Sequence, residues 1–521
     1  MSVIIAFQPA LRPALPTVYG PLDYREQRAL IERMDGILAA SGLDHEFLVA
    51  AIADQGLDLR KRSARQNARF ARFSALCLRA NVARALLGLA HREFCARLAD
   101  SALLQWFLHV GEVDSVKVFA KSTSHRFENW VKPESLRRIN DQLIALSCAP
   151  AAEGNQSAAF DLEAPVVCDD AFFDTTVVKA PIHFPTDWVL PLGHELGAEW
   201  LRDAARTLMK ATLCIRRAGL KQRMPQEPEE FLSAMNKQCM AMSAQRRQKD
   251  GKRQRKRILR VMKRLAKRIG EHAAAHLQAL QTRRSETELS VGQARVIERR
   301  IARVLEQLPA AIKQAHERII GGRQVQSADK ILSLYDDEIA LIVRGKANAE
   351  VEFGNKLTLV ENRAGLVIDY QLHEGNPADS NLVAPCVQRL KASALPVTKL
   401  WADRGMFSAA NESLLAANGL HSGLCPRDPH ELARRLQDPA VKAGMKRRGG
   451  TEARVAIFKN VFMGSPAKGR SFGARERACG WAVLTHNLWV LARLPQVTAE
   501  PQPQTSPPLL GTAEPALRRA A

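Results

Sequence analysis

The spacing of hydrophobic positions changes repeatedly along this 521-residue chain, and each change predicts a different kind of structure. Within residues 1–150 apolar residues recur mostly at helical spacing, as in REQRALIERMDGILAAS. A stretch rich in β-branched and aromatic residues, PVVCDDAFFDTTVVKAPIHF, then predicts a buried strand that carries Asp174. From about residue 190 to about residue 320 the pattern is helical again.

Strand patterns resume after about residue 330. KILSLYDD, EIALIVRG, VEFGNKLTLVEN and GLVIDYQLHEG are predicted strands, the last two joined by the turn RAG as a hairpin. Next come a helix capped near Asp379, a strand ending in Asp403, a short helix closed by Gly419, a strand at HSGLCPR and a helix opened by Glu452. This order predicts a mixed α/β fold, a sheet flanked by helices, with a large all-α insertion.

The charge is strongly positive, with 76 Lys and Arg against 54 Asp and Glu and a formal net charge of +22. A basic excess favours nucleic acid as the partner because binding releases its counterions, although composition alone also fits a generally basic protein. Thirteen Lys and Arg lie between residues 246 and 268, around an apolar stripe from Ile258 to Ile269. Such runs are often solvated faces; we interpret this one as a DNA-backbone contact that includes Arg253 and Arg257.

A second candidate DNA contact is KVFAKSTSHRFENWV, which has two equally weighted interpretations. In the first it is the second helix of a DNA-binding helix pair, capped by Ser122 and anchored by Phe127 and Trp130. Lys121 and Arg126 would then project toward DNA. In the second it is a plain amphipathic helix of an all-α domain.

Five parts are predicted from these patterns. They are an N-terminal leader and helix (1–60), a helical DNA-binding domain (61–150), an α/β domain in two pieces (160–190 and 328–494), a basic helical insertion (191–327) and a disordered Pro-rich tail (495–521).

The nine cysteines are scattered, without a CxxC pair or a Cys/His cluster. Their scatter argues against structural zinc and a disulfide framework, and free thiols indicate a reducing cytoplasm. The start, MSVIIAFQPALRP, lacks the basic segment of a signal peptide, and no apolar run approaches the ~18 residues of a membrane span. We therefore expect a soluble cytoplasmic protein without membrane association.

Three acids are candidate metal ligands. Asp174, in the middle of one strand, and Asp403, at the end of another, can meet only if their strands are sheet neighbours, and two close carboxylates repel unless a cation lies between them. Oxygen ligands suit Mg²⁺ or Mn²⁺, and Glu452 would hold a second ion. Two ions ~4 Å apart can activate an attacking water or 3′-hydroxyl and stabilise the leaving oxygen of an in-line displacement.

The run MKRRGGTEARVAIFKN contains the spacing R-x3-E-x6-K at Arg448, Glu452 and Lys459. On a continuous helix Glu452 and Lys459 would share a face. Gly449 and Gly450 disfavour helix, so Arg448 is predicted in the preceding turn. Its guanidinium fork and the Lys459 ammonium are cations suited to phosphate groups.

Each acid also has an ordinary interpretation, because a strand-end Asp is often a turn residue and a first-turn Glu often only favours the helix dipole. The joint placement, in this order and on these elements, carries the metal-site hypothesis. Five rival carboxylates rank lower because they fall in predicted turns, at a strand edge or without a matching partner. They are Asp169, Asp170, Asp187, Glu352 and Asp369.

Taken together, these segments resemble bacterial insertion-sequence transposases with a DDE triad and the YREK-type signature Y-x2-R-x3-E-x6-K. The resemblance rests on DTTVVKAPIHFPTD, KILSLYDDEIALIVRGKANAEVEFGNKLTL, HEGNPADSNL and ADRGMFSAANESLL, and spans about residues 165–490. It implies Asp174, Asp403 and Glu452 as the triad, and Arg448 and Lys459 as the basic members of the signature. Met445 stands at the tyrosine position, a departure that puts in doubt an aromatic or hydroxyl contact to DNA there.

The resemblance further implies an RNase H-like core, a homodimer assembled on paired element ends and a bacterial, nucleoid-associated protein. Arg404, beside Asp403, joins the expected DNA contacts. The expected activity is Mg²⁺-dependent cleavage of double-stranded DNA at element ends, followed by transfer of the 3′-hydroxyl into target DNA. Two alternatives stay open, an RNase H-like nuclease or resolvase that never joins strands, and a non-catalytic DNA-binding regulator.

Overall fold

A computed structural model of the chain describes residues 14–497 apart from 16, 18, 111–115, 151–157, 182–195, 246–250, 324–332, 334, 335, 337, 347, 348, 465, 468 and 470. Several predictions fall outside these residues. They concern the start of the leader (1–13), Asp187, most of the strand KILSLYDD and nearly all of the Pro-rich tail.

The described chain is helical up to the first strand, apart from short connections. Its helices are α1 (Leu22–Ala40), α2 (Leu43–Asp54), α3 (Ala64–Leu86), α4 (His91–Asp100), α5 (Ala102–Leu108), α6 (Lys121–Glu128) and α7 (Pro133–Cys148). A capping box starts α3, where Ser63 and Gln66 satisfy each other's backbone N–H groups. The predicted cap at Ser122 is wrong, because α6 begins at Lys121 and no side chain caps it.

Six strands form one sheet. They are β1 (Asp170–Lys179), β2 (Ala340–Lys346), β3 (Ala349–Glu361), β4 (Val367–His373), β5 (Lys399–Ala402) and β6 (His421–Leu424). β3 is antiparallel to β1, β2 and β4, whereas β1, β5 and β6 run parallel to one another. The path β4–β3–β1–β5–β6 is consistent with an RNase H-like core.

The hairpin predicted at RAG is present between β3 and β4. Asn362 Oδ1 accepts the N–H groups of Gly365 and Leu366, each at 2.9 Å. Gly365 has φ +95°, a conformation that favours glycine. The remaining helices of this part of the chain are α12 (Val383–Ala392), α13 (Ala409–Ala417), α14 (Pro429–Arg435), α15 (Pro439–Gly449), α16 (Thr451–Ile457) and α17 (Phe472–Leu491).

Every element described between β1 and β2 is helical. The four longer helices are α8 (Leu196–Arg217), α9 (Pro228–Ala244), α10 (Gly251–Arg283) and α11 (Val291–His316). They enclose a hydrophobic cluster of their own, which includes Leu208, Met235, Met262 and Ile269. The apolar stripe predicted on α10 therefore faces this cluster, and four of the five basic residues between its members are exposed, whereas Lys263 is half-buried.

One hydrophobic cluster joins the N-terminal helices to one face of the sheet. Trp481 of α17 lies in it with its ring 5.7 Å from that of Phe47, and its Nε1 donates to the Glu128 carbonyl at 3.2 Å. The N-terminal helices thus pack directly on the α/β part, while the domain boundaries predicted from the sequence stay predictions. Within the described residues no single helix has the length and apolarity of a membrane span, although two bent helix pairs meet that test.

Candidate active site

Asp174 and Asp403 lie side by side on neighbouring strands. β1 and β5 pair in parallel, with Asp170 opposite Lys399 and Phe172 opposite Trp401. Asp174 and Asp403 each follow this last pair by two residues, so they lie next to each other across the two strands. Since side chains two residues apart point to the same side of a strand, both acids lie on the face of the sheet that carries Phe172 and Trp401. The prediction that these two acids come from adjacent strands agrees with this register.

Two glycines, one in the helix that covers this face and one in strand β6, allow close packing around Trp401. An added Cβ at Gly444 of α15 would lie 2.2–2.5 Å from three ring atoms of Trp401, and one at Gly423 of β6 would lie 2.3 Å from another. The indole therefore fills a slot between helix and sheet. Met445, at the tyrosine position of the signature, packs against the cluster of Phe172, Trp401 and Val441.

Arg448 lies between the two acids. Its Nη2 is 3.9 Å from Asp174 Oδ1 and 3.7 Å from Asp403 Oδ2, and its buried Nε has no hydrogen-bond partner among the described residues. The prediction that Arg448 sits in a turn is wrong, because α15 continues through Gly449 and Gly450 keeps helical angles. A glycine costs a helix only ~1 kcal/mol relative to alanine, which the packing of α15 on Trp401 can outweigh.

A buried acid on β3 fixes the junction between α15 and α16. Glu361 Oε1 accepts from Arg447 Nη1 at 2.9 Å and from Thr451 Oγ1 at 2.8 Å, and the Arg447 guanidinium stacks 4.6 Å from the Phe172 ring centroid. This network could not be predicted from the sequence, because nothing near Glu361 points to partners 86 and 90 residues away.

Glu452 lies in the first turn of α16, which packs against β1, and it is exposed. The expectation of a continuous α-helix from Glu452 to Lys459 is wrong, because α16 ends at Ile457 and a π-helical turn follows over Phe458–Met463. Because a π-helical turn is wider than an α-helical turn, it changes the angle around the helix axis between Glu452 and Lys459. The seven-residue spacing alone therefore does not place both side chains on one face. Lys459, within this turn, is half-buried.

Burial dominates the electrostatics of Asp174 and raises its pKa to about 6. Arg448 and the Thr175 N–H, which donates to Asp174 Oδ1 at 2.7 Å, act in the opposite direction, whereas the charges of Asp403 and Glu452 raise the pKa further. Asp174 therefore responds to both other acids, and an added cation at this place would relieve the repulsion among them.

The donor set fits a hard divalent ion in part. Asp174 and Asp403 offer only oxygen ligands, which suit Mg²⁺ or Mn²⁺. In the part of the chain that the structure describes, however, no three Asp, Glu, His or Cys side chains come close enough together to hold a metal ion. Glu452 thus lies near enough for its charge to act on Asp174, but it does not complete a closed cluster.

A further acid, Asp379, lies beside Asp403. Asp379 Oδ1 accepts from Lys356 Nζ at 2.8 Å, so the cap predicted near this residue is replaced by an ion pair with β3. A Cβ at Gly405 would lie 3.2 Å from both Asp379 Oδ2 and Asp403 Oδ1. The glycine of ADRGM therefore leaves room for two carboxylates at this turn.

Among the rival carboxylates, four have partners of opposite charge. Asp169 has the most distant partner, with its Oδ2 3.9 Å from Lys399 Nζ. Buried Asp170 pairs with Arg363 and accepts from Trp401 Nε1 at 2.7 Å. Asp369 pairs with Arg137 and Arg389, and Glu352 pairs with Lys179. These pairs leave Asp174 and Asp403 as neighbours that share one guanidinium.

Five of the seven predicted DNA contacts are exposed, whereas Arg448 and Lys459 are half-buried. Lys121 and Arg126 are exposed on α6, whose Phe127 is buried as expected. Arg253 and Arg257 are exposed one helical turn apart on α10. Arg404 is exposed in the turn after β5, next to Asp403.

Comparison with known families gives one match. Residues 343–488 match the family described as "Transposase DDE domain". The matched stretch contains Asp403, Arg448, Glu452 and Lys459, while Asp174 lies upstream of it. Neither the curated proteins nor the solved structures contain a match to the chain. The resemblance to insertion-sequence DDE transposases is thereby confirmed, although the match does not show the YREK-type signature.

The raised pKa of Asp174 predicts a pH-dependent cost to stability. Its pKa rises from 3.8 to about 6 on folding, so the folded state binds this proton more tightly than the unfolded state does. The resulting stabilisation of the fold is complete below pH 3.8 and is lost as the pH rises through about 6. Without divalent ions, Asp174→Asn should raise the free energy of unfolding at about pH 8 by ~2 kcal/mol and change it little at about pH 4.

Urea unfolding in EDTA across this pH range measures the difference. Asp23→Asn, an exposed position on α1, is the control and should change little at either pH. Equal stability of wild type and Asp174→Asn at the upper pH would contradict the electrostatic account of the site.

Proposed function

Since residues 343–488 carry a transposase DDE domain, we propose that this protein cuts DNA at the ends of an insertion sequence and joins the freed ends to target DNA. The observation that carries the proposal is the parallel register of β1 and β5, which sets Asp174 level with Asp403 beneath Arg448. Asp174 enters from outside the matched stretch, so the helical insertion separates it from the rest of the proposed triad.

In the proposed reaction Asp174, Asp403 and Glu452 hold the divalent ions. When bound, two Mg²⁺ or Mn²⁺ ions would favour formation of the attacking oxyanion and stabilise the leaving oxygen. Asp174 and Asp403 are fixed by the sheet, whereas Glu452 depends on α16. Glu361 supports that helix by holding Arg447 and Thr451, so we assign it a positioning role.

Arg448 is the cation proposed to meet the reacting phosphate. Its guanidinium lies within 4 Å of both acids, and a fork of N–H donors matches phosphate oxygens. Lys459 and Arg404 supply further positive charge to the DNA backbone beside the site. In cleavage a water oxygen bonds to phosphorus and the 3′-oxygen leaves with a proton. In joining, that 3′-hydroxyl loses its proton as its oxygen bonds to the phosphorus of a target phosphodiester, and the target 3′-oxygen leaves and takes up a proton.

Double-stranded DNA is the proposed partner, as element end and as target. Its backbone would lie along the exposed basic residues of α6 and α10, represented by Lys121, Arg126, Arg253 and Arg257, since such contacts dominate affinity for DNA. We further propose that two copies assemble on paired ends in the bacterial cytoplasm, in association with the nucleoid.

A strand-transfer assay tests the joining step. The end sequence is first sought as inverted repeats in the genomic DNA on either side of the reading frame. Pre-cut ends with a free 3′-hydroxyl are then incubated with the protein, plasmid and Mg²⁺. The expected product is plasmid covalently joined to the labelled end. Cleavage of uncut ends without joining would identify a nuclease or resolvase instead, and DNA binding without metal-dependent cleavage would identify a regulator.

A further inference from the structure

A groove between α3 and α6 has aromatic walls. Its volume is about 560 Å³, within the ~300–1,000 Å³ common for small-ligand sites. The rings of Phe70 and Trp130 stack at 5.4 Å with 22° between their planes, and Trp130 Nε1 donates to Ser74 Oγ at 3.0 Å. Phe73 and Trp130 are half-buried, so each ring keeps a surface open to the groove.

Three arginines form the rim of this groove. The Arg62 guanidinium lies 5.7 Å from the Phe70 ring centroid and that of Arg69 lies 5.5 Å from Phe73. Arg126 donates to Thr123 Oγ1 at 3.0 Å. Within the described chain none of these three guanidinium groups forms an ion pair, so their charge is available to an anionic ligand.

Flat aromatic walls below a cationic rim match the two parts of a nucleotide. Any of the four bases can stack on an aromatic ring, and arginines on the rim can bind the adjoining phosphates. In an intact duplex the faces of a base are covered by its neighbours, so only an unpaired base could enter. A simple anion would use the rim and leave the aromatic walls without a role.

We propose that this groove binds a single unpaired nucleotide of the DNA, with its base against Phe73 and Trp130 and its phosphates at Arg62, Arg69 and Arg126. The inference rests on the proposed DNA-binding function and adds to it a preference for locally unpaired DNA. It also gives Arg126 a phosphate contact without requiring α6 to enter a groove of the duplex.

Fluorescence anisotropy with the full-length protein tests the preference. The probes are a short labelled duplex and the same duplex with one unpaired thymidine. Wild type should bind the bulged duplex more tightly. Phe73→Leu, which removes the ring and keeps most of the volume, should weaken binding to the bulged duplex about tenfold and hardly affect the perfect duplex.

Arg72→Ala is the matched control for Arg69→Ala, because Arg72 is exposed on the same helix and does not line the groove. Arg69→Ala should weaken bulge binding several-fold more than Arg72→Ala does. Equal affinity of wild type for both duplexes, or equal effects of the two arginine changes, would overturn the proposal. Tighter binding of free dTMP than of the bulged duplex would also overturn it, because it would identify a free nucleotide as the ligand.

Photo-cross-linking covers the case in which Phe73→Leu fails to fold. With 5-iodouracil at the unpaired position, wild type should cross-link within α3 or between residues 121 and 130, and cross-links confined to other segments would overturn the proposal. The outcomes for the groove and for catalysis are separable. Metal-dependent cleavage without a preference for the bulged duplex would contradict only nucleotide binding in the groove. A preference for the bulged duplex without cleavage would contradict only the proposed enzymatic activity.

Discussion

Glu452→Gln is expected to bind element-end DNA with unchanged affinity and to lose metal-dependent nicking by at least ~1,000-fold. That factor corresponds to ~4 kcal/mol of transition-state stabilisation, the order expected when a carboxylate ligand of a catalytic ion is removed. Binding should persist because Glu452 is an exposed residue that carries no positive charge to the DNA. Nicking of a labelled end duplex with Mg²⁺ gives the rate, and gel shift in Ca²⁺ gives the affinity.

Glu229→Gln is the control for this change. Glu229, like Glu452, is an exposed acid in the first turn of a helix, so the substitution has the same effect on the helix dipole. It should nick DNA at the wild-type rate. Undiminished nicking by Glu452→Gln would remove Glu452 from the mechanism and leave Asp174 and Asp403 as the only acids of the proposed site.

Gly444→Ala, which adds a single methyl group near the site, should be strongly damaging. The new Cβ would lie 2.2–2.5 Å from buried ring atoms of Trp401, which is itself held by Asp170. Overpacking of this kind costs ~1–3 kcal/mol. To relieve it, α15 must move away from the sheet and carry Arg448 and Glu452 with it. We expect lower stability in urea unfolding and loss of most nicking activity.

Gly449→Ala, five residues later on the same helix, has the opposite expected sign. Nothing lies within 4 Å of a Cβ at this position, and the residue is helical. Alanine should therefore stabilise the protein by ~0.5–1 kcal/mol and leave nicking intact. Wild-type stability and activity of Gly444→Ala would show that the contact between α15 and Trp401 does not set the site.

The sequence was sufficient to predict those strands, turns and helices that are specified by a local pattern of residues. β-branched runs marked the strands of Asp174 and Asp403, RAG marked the hairpin, and helical spacing marked α10. Two acids at corresponding positions of two strands could then be proposed as partners. The register that sets them level depends on which strands pair, a tertiary property that spacing does not encode.

Predictions failed where packing between distant elements decides the local structure. Gly449 and Gly450 suggested a turn, but α15 stays helical because its other end is packed on Trp401. The π turn after Ile457 has no signature in the sequence, and it changed the relation of Glu452 to Lys459. Glu361 looked like an ordinary strand residue until the fold brought Arg447 and Thr451 to it.

The proposed reaction depends on divalent ions held by Asp174, Asp403 and Glu452. Crystals of the protein with end DNA and Mn²⁺, measured at the manganese absorption edge, test it most directly. The account predicts anomalous peaks bound by the Asp174 and Asp403 carboxylates, with Glu452 binding the second ion. Mn²⁺ bound elsewhere on the protein, with these three carboxylates free of it in a complex that cleaves DNA, would contradict the account.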